Sequence, residues 1–399
     1  MQPDEALTPP ARPQRPRVLC FGRFYDEVPG GMQRHVEHLF AALAGQVDFV
    51  HLVPSRDRHG ASFELNGVPV VRTPSLNVDG SLAISPQLAM HARGLHRRHR
   101  FDLVHLHFPD PMSHLAAMAV PAGVPRVITW HADVIRHRTL LKIYRPLLRR
   151  ALLSAKAIIV PTASHVAASP ELSALPDPSR ISVVPFGFDL ARFARPHPLA
   201  AQVRERHPGK RILALGRHVY YKGFDVLIDS MREVDADARL IIGGAGPLTE
   251  QWRALAATLG VAGRVHFAGM IDEADLPAYY QACDLFCLPA VSRAEAFGIV
   301  QLEAMACGKP VVSTRLNNGV DFVNQHESTG LTVPPSDPGA LAQALNRLLA
   351  SPALRERMGE AGRNRAFTEF SLDAMGARTM AVYARSLSDL NMGAPGRRC

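Results

Sequence analysis

Two carboxylates stand eight positions apart in SRAEAFGIVQLEAMACGKP, residues 292–310, and the residues between them, AFGIVQL, are almost wholly apolar. The run DLFCLP before this segment is typical of a strand, so Glu295 is predicted in the following loop and a helix near Phe297–Gly298. Glu303 then lies about five residues into the helix, roughly 7–8 Å behind its start. A capping acid at the start and a hydrogen-bonded or solvated acid further into the helix would be a structural explanation. Two hydroxyl-binding carboxylates on either side of a bound anion would be a chemical one.

The predicted helix start could bind an anion through its free backbone N–H groups, and the candidates are Phe297, Gly298 and Ile299. Two cations, Arg217 and Lys222, follow the strand-like run RILALG in GRHVYYKGFD. Together with a helix start, two cations could neutralise a diphosphate, whereas two surface cations on a loop are the alternative. Because a carboxylate accepts two hydroxyls, Glu295 suits a hexose and Glu303 a ribose.

Glycine-rich turns follow two other predicted strands. Gly30 and Gly31 open the helical pattern MQRHVEHLF, and Gly244 lies in RLIIGGAGPL, where Thr249 occupies the last glycine position of a dinucleotide fingerprint. The GxGxxG pattern that a hydride-transfer enzyme of this class would normally show is therefore missing. A close backbone approach to a ligand and an ordinary turn both explain these glycines.

Neither a metal nor a cofactor is predicted. Asp235 and Asp237 form an Asp-x-Asp pattern, but they lie between a helix and the strand RLIIGG, opposite the ligand end of the sheet, which indicates a turn. Of the five cysteines, only Cys283 and Cys287 are close, and their spacing suits small buried apolar residues better than a zinc site. Scattered thiols indicate a reducing compartment.

The chain of 399 residues is long enough for two domains. Runs rich in Val, Ile and Leu alternate with helical patterns, which predicts α/β architecture with parallel sheets buried on both faces. The predicted strands are 17–22, 48–53, 102–107, 126–131, 157–161, 181–186, 211–216, 239–244, 264–269, 284–289 and 310–314. Two doubly wound, Rossmann-like domains are expected at 17–195 and 205–370, with a ligand between them at the carboxyl ends of the strands. A disordered tail, a terminal helix and a second tail are expected at 1–16, 371–390 and 391–399.

The formal net charge is +9, and the first half contains two stretches without acids, at 80–101 and between Asp133 and Glu171. Apolar and basic residues interleave in LLKIYRPLLRR, which favours a helix on an anionic membrane surface over a solvated helix face. Aromatic residues are few there, so nucleic acid is not an expected partner. No signal peptide and no run of about 18–20 apolar residues is found. The predicted location is cytoplasmic, free or peripheral on the inner face of the cell membrane.

Four motifs together resemble one known family: Gly30–Gly31 before His35–Val36, TWHAD at 129–133, GRxxxxKG with Arg217 and Lys222, and E-x7-E with Glu295 and Glu303. The chain resembles the retaining glycosyltransferases of family 4 over about 17–390, including TGLTVPP at 329–335. The residues in these motifs are most similar to those of bacterial mannosyl- and rhamnosyltransferases of surface polysaccharide synthesis. One departure is PFGFD, where the family usually has a smaller residue than Phe188.

The resemblance implies the two-domain GT-B fold, with the two domains facing across a cleft and the terminal helix crossing back to the first domain. The implied donor-diphosphate residues are Arg217 and Lys222, and the implied donor-sugar residues are Glu295 and the amides of Phe297, Gly298 and Ile299. Glu303 would bind the ribose, and backbone at Met270–Ile271 would face the base. Gly30–Gly31 would face the phosphate and reaction centre, and Gly244 the nucleotide or sugar. His131 would lie beside the transferred sugar, so Glu295 and His131 are the catalytic candidates.

The expected function is therefore a retaining, metal-independent glycosyltransferase. It would transfer mannose, or a related hexose or rhamnose, from a nucleoside-diphosphate sugar, with GDP favoured. The acceptor would be a hydroxyl of a glycan or of a polyprenyl-diphosphate-linked glycan, beside an anionic membrane surface. A sugar-nucleotide epimerase or a phosphorylase on the same scaffold is one alternative, and a non-catalytic basic protein that binds membrane or nucleic acid is another.

Overall fold

The computed structural model describes residues 15–22, 31–55, 58–77, 83–131 and 138–392. Within these ranges the chain divides into two compact units. The first runs to Val184 and resumes at Met375, and the second is Pro185–Ala374. This division falls earlier than the predicted boundary at 195–205, because Leu190 and Phe193 pack into the core of the second unit.

The first unit is built on one large sheet. Its strands are β1 (Arg17–Phe21), β2 (Asp48–Pro54), β3 (Ala61–Leu65), β4 (Val68–Thr73), β5 (Leu76–Asn77), β6 (Ala83–Ile84), β7 (Leu103–Phe108), β8 (Arg126–Trp130), β9 (Ala157–Val160) and β10 (Ile181–Val183). Its helices are α1 (Gly31–Ala42), α2 (Gln87–His99), α3 (Pro111–Ala117), α4 (Arg138–Ser154), α5 (Ala163–Ala168) and α6 (Pro170–Ser173). In the described part of this unit the sheet order is β10-β9-β8-β7-β1-β2-β4-β3, and only the β3–β4 pair of that sheet is antiparallel.

The second unit contains a parallel sheet in the order β13-β12-β11-β14-β15-β16. Its strands are β11 (Lys210–Leu215), β12 (Ala238–Gly243), β13 (Val265–Gly269), β14 (Leu285–Leu288), β15 (Val311–Thr314) and β16 (Gly330–Val333). Its helices are α7 (Ala191–Ala194), α8 (Leu199–Arg206), α9 (Phe224–Ser230), α10 (Thr249–Thr258), α11 (Leu276–Ala282), α12 (Ile299–Ala306), α13 (Gly319–Val323), α14 (Pro338–Ala350) and α15 (Pro352–Phe370). One buried cluster covers each face of the sheet, as expected for parallel strands joined by helices.

The predicted terminal helix is α16 (Leu372–Met392), and from Met375 onward it belongs to the first unit. There Tyr383 is fully buried, and its hydroxyl lies 2.6 Å from Nδ1 of His105 on β7. The C-terminal helix therefore completes the core of the first unit, although the residues before it belong to the second.

All of the predicted strands form strands in the structure, so the α/β prediction is confirmed. The strands β3, β4, β5, β6 and β16 were not predicted. Residues of β3 alternate between half-buried and exposed positions, and β5 and β6 have only two residues each, so these three strands produce no long apolar run.

Helix α4 contains the basic, apolar segment expected on a membrane surface. Tyr144, Leu148 and Leu152 are buried in the core of the first unit, whereas Arg145 and Arg149 on the same helix are exposed. The apolar side of the described part of α4 is thus occupied by the protein itself, which favours the alternative of a solvated basic face. Among the described residues, no helix is both long enough and apolar enough to cross a bilayer.

Candidate functional site

Most of the predicted site residues of the second unit lie beyond the carboxyl ends of four parallel strands. Arg217 and Lys222 follow β11, Gly244 follows β12, Met270 and Ile271 follow β13, and the Glu295 loop follows β14. Since β11 lies between β12 and β14, these loops are neighbours at one edge of the sheet.

The closest contact at this edge is an ion pair between two predicted site residues. Lys222 Nζ lies 2.6 Å from Oε2 of Glu295, and the two side chains are only 11% and 12% exposed. Asn318 donates a hydrogen bond of 2.7 Å to the main-chain carbonyl of Glu295 and so steadies its loop. Sequence reasoning assigned these residues to two parts of a ligand and missed their pairing. A diphosphate that binds Lys222 would therefore compete with Glu295 for the ammonium group.

Arg217 differs from Lys222 in its surroundings. Its side chain is exposed, and within the described ranges its guanidinium has no hydrogen bond or ion pair. A guanidinium in this position can approach an incoming anion without first breaking a protein contact.

Helix α12 begins at Ile299, directly after the predicted start at Phe297–Gly298. Gly298 precedes it with a φ of +69°, and a Cβ at Gly298 would lie 2.6 Å from a side-chain carbon of Leu288. Glycine is therefore strongly favoured at this turn. Phe188, where the family usually has a smaller residue, lies near this turn, with its ring centroid 6.0 Å from that of Phe297.

Glu303 is the fifth residue of α12, as predicted, and it is half-buried. The hydroxyl of the fully buried Tyr280 donates a hydrogen bond of 2.6 Å to Oε2 of Glu303. Burial raises the pKa of Glu303, and the bond from Tyr280 opposes part of that shift. One of the two Glu303 oxygens predicted to bind a diol is thus already hydrogen-bonded to Tyr280.

Gly244 lies where two loops touch. Its φ is +111°, and a Cβ there would lie 2.1 Å from the main-chain oxygen of Gly216. Gly246, two residues later, approaches His218 in the same way. Loop packing therefore accounts for this glycine without a ligand, although the ligand role predicted for it is compatible with the position.

We expect Gly244→Ala to lower the free energy of unfolding of the second unit by about 3 kcal/mol or more, because the backbone strain adds to a collision with main chain. Urea unfolding in a Trp130→Phe background, followed by the fluorescence of the buried Trp252, measures the effect. Gly260→Ala is the matched control: its φ is +69° but nothing lies within 4 Å of the position that a Cβ would take, so only the strain of about 1–2 kcal/mol is expected. Equal losses in the two variants would contradict the steric argument.

In the first unit, His131 directly follows β8. Its main-chain N–H donates to the carbonyl of Phe108 at 3.0 Å, and its Nε2 lies 2.9 Å from Nδ1 of His107. Burial, with the nearby charge of His165, lowers the pKa of His131 to about 3. Gly31 is the first residue of α1, while Gly30, Asp133 and Cys399 lie outside the described residues.

His131 is part of a larger group that sequence reasoning missed, here called the histidine layer: Cys20, His35, His51, His105, His107 and His131. Cys20 on β1 is the register partner of both His51 on β2 and His105 on β7, so the three share one face of the sheet. The signal was present in LVHLHF, where His105 and His107 alternate with apolar residues. The layer is buried except for the half-buried His131, although polar residues are rarely placed on a sheet face covered by helices.

Asp235, Cys283 and Cys287, which were not predicted to bind a metal, lie in the predicted turn and in the predicted buried positions. Asp235 lies in the turn before β12, where Lys210 Nζ is 2.5 Å from its carboxylate. Cys283 and Cys287 are buried as free thiols, and burial raises their pKa.

Comparisons with known proteins identify the class. The model of "Glycosyltransferase Family 4" matches residues 29–192, and that of "Glycosyl transferases group 1" matches residues 199–365. The solved sucrose-phosphate synthase of Thermosynechococcus elongatus superimposes with a TM-score of 0.70 at 23% identity, covering 94% of this chain and 100% of that one. A glycosyltransferase of Rickettsia africae superimposes with a TM-score of 0.73 at 19% identity, covering 94% and 99%. These likenesses define the GT-B fold.

Curated relatives are more similar in sequence. D-rhamnosyltransferase WbpZ of Pseudomonas aeruginosa is 33% identical over 347 residues, which cover 86% of this chain and 89% of the relative. A GDP-mannose-dependent phosphatidylinositol monomannoside mannosyltransferase of Mycolicibacterium smegmatis is 30% identical, with coverages of 88% and 93%. The chain therefore belongs to glycosyltransferase family 4.

Proposed function

We propose that this glycosyltransferase transfers mannose, or a related hexose such as rhamnose, from a nucleoside-diphosphate sugar with retention of configuration and without a metal. GDP is the favoured nucleotide. The acceptor is a hydroxyl of a glycan or of a polyprenyl-linked glycan at the cytoplasmic side of the membrane. Relatives named as a rhamnosyltransferase and a GDP-mannose-dependent mannosyltransferase support the choice of sugar and nucleotide.

The buried Lys222–Glu295 pair is the observation that carries the proposal. A cation that must be withdrawn from water is costly unless a partner or a ligand stabilises it. Placed beside the start of α12, Lys222 would bind the donor diphosphate with the exposed Arg217 and the free amides of the helix. Glu295, released from Lys222 by the phosphate, would then accept hydroxyls of the donor sugar.

The remaining residues take the other parts of the donor. Glu303, five residues into α12, would bind the ribose with the oxygen that Tyr280 leaves available. Main chain at Met270–Ile271 would face the base, with Met270 itself 77% exposed in the free protein. Gly30, Gly31 and His131 would lie at the phosphate and the transferred sugar.

Retention follows if the acceptor hydroxyl attacks from the face that the leaving diphosphate vacates. The bond from the anomeric carbon to the diphosphate breaks, the bond to the acceptor oxygen forms, and the departing phosphate oxygen takes the acceptor proton. No strong protein base is needed for this sequence. Arg217, Lys222 and the amides at the helix start stabilise the negative charge that develops on the diphosphate.

A thermal-shift panel of GDP-, UDP-, dTDP- and ADP-sugars tests the donor. In excess EDTA, GDP-mannose or a GDP-deoxyhexose at 100 times its Kd should stabilise the protein by about 2.7 kcal/mol, while the other sugars shift the melting temperature less. Arg217→Ala should lose the shift with its fold intact, since Arg217 is exposed, and Arg357→Ala, another exposed arginine, is the matched control.

A panel in which no GDP-sugar binds, or in which binding appears only after a divalent metal is added, would contradict the proposal. Release of GDP should also depend on an acceptor and not on inorganic phosphate. Turnover of the donor without an acceptor would indicate an epimerase, and a requirement for phosphate would indicate a phosphorylase.

A further inference from the structure

Three imidazoles of the histidine layer converge where α1 covers the ends of β7 and β8. His107 and His131 face each other with 2.9 Å between ring nitrogens, and the ring centroid of His35 lies 4.9 Å from that of His131 and 5.6 Å from that of His107. One ligand nitrogen from each of the three lies within 4.8 Å of the others. Small rotations of the rings would bring three nitrogens to the spacing of a tetrahedral metal site.

A buried polar atom in this group points to a ligand. Nε2 of His107 is buried without a hydrogen-bond partner among the described residues, which is uncommon in a folded protein.

A second group of potential ligands, Cys20, His105 and His107, is less suitable. Both ring nitrogens of His105 are already engaged, by Tyr383 and by Thr129. Burial also raises the pKa of the Cys20 thiol, which opposes formation of the thiolate that metals bind. His131, by contrast, is half-buried, so the first group can be reached from solvent.

We propose that His35, His107 and His131 bind one Zn²⁺ ion. Three neutral imidazoles suit Zn²⁺, and three protein ligands leave a fourth position for water. This site is distinct from the proposed donor diphosphate site, for which we propose no metal. Zn²⁺ bound at this site would inhibit sugar transfer. This expectation rests on the function proposed above, in which His131 lies beside the transferred sugar.

The test is titration of tag-free, EDTA-stripped and dialysed protein with ZnSO₄ in competition with a chromophoric chelator. Wild-type protein should bind one Zn²⁺ at this site with a Kd on the order of micromolar or below. His35→Gln and His107→Gln should each weaken binding at least about tenfold. His51→Gln is the matched control, since His51 is buried in the same layer but belongs to neither group of ligands, and it should bind like wild type.

Circular dichroism identifies any variant that has not folded. If His107→Gln fails to fold, Zn²⁺ binding by His35→Gln decides whether the site exists, because His35 lies on α1 at the edge of the layer. Absence of Zn²⁺ binding by wild-type protein, or equal binding by wild type and the folded ligand variants, would overturn the site. Zn²⁺ binding without inhibition of transfer would leave the site standing and would instead overturn the place assigned to His131.

Discussion

Glu295→Gln is expected to abolish sugar transfer while leaving binding of free GDP equal to or tighter than in wild type. Sugar transfer and GDP binding respond differently because Glu295 has two roles in the proposed reaction. In the free enzyme its carboxylate holds Lys222 at 2.6 Å, and in the complex it accepts sugar hydroxyls. The amide removes competition for Lys222 but also removes the charged acceptor, and the loss in kcat is expected to be about 10²–10³-fold.

Lys222→Ala should behave differently, with both GDP binding and transfer weakened. It also leaves Glu295 as an unpaired, largely buried carboxylate, so a loss of stability of up to about 3–5 kcal/mol is expected. Isothermal titration with GDP, kinetics with a GDP-sugar and urea unfolding measure the three quantities separately.

Asp284→Asn is the matched control for this comparison. Asp284 forms a partly buried ion pair of 3.0 Å with Arg211, at the opposite edge of the same sheet. Its loss should lower stability without changing GDP binding. A Glu295→Gln variant that folds and keeps near-wild-type turnover would remove Glu295 from the mechanism.

Mild acid is expected to unfold the first unit near pH 5. Burial lowers the pKa of His51 and His114 to about 4 and that of His105 to about 3. The unfolded chain takes up protons below its pKa of about 6.5, whereas these folded rings stay neutral. Stability is therefore complete above pH 6.5 and falls as the pH decreases toward 4, by about 2 kcal/mol for each group at pH 5.

The three groups together remove about 6 kcal/mol at pH 5, which is comparable to the whole stability of many domains. The chain provides a reporter for each unit, because its two tryptophans are Trp130 on β8 and Trp252 on α10. Trp252→Phe protein reports the first unit alone, and Trp130→Phe the second. We expect the Trp130 signal to change at the higher pH.

Glutamine at position 51 or 114 removes a titrating group, so either variant should move the acid midpoint of the first unit to lower pH. An acid midpoint that is unchanged in both variants, or a first unit that remains folded at pH 4, would show that the buried rings do not govern acid stability.

Several features of this protein follow from local patterns along the chain. The apolar runs specify the strands, and their alternation with helices specifies parallel sheets. Because all parallel strands point the same way, the loops that follow them must meet at one edge, so Arg217, Lys222, Gly244 and Glu295 could be assigned to a common site from sequence. Glu303 could be placed in a helix by counting residues.

The partners of these residues depend on strand order, which sequence does not specify. Lys222 reaches Glu295 because β11 pairs with β14 although two other strands lie between them in the chain. The histidine layer exists because β1 lies between β2 and β7, which aligns Cys20 with His51 and His105.

Burial was the other property that only tertiary structure decided. In SRAEAFGIVQLEAMACGKP, the sequence by itself determined that Glu295 lies in a loop and that Glu303, eight residues later, lies in a helix. Packing then placed Glu295 against Lys222 and Glu303 against Tyr280, so that each carboxylate has a protein partner before any ligand arrives. A buried charge needs such a partner, and finding it requires contacts between residues distant in the chain.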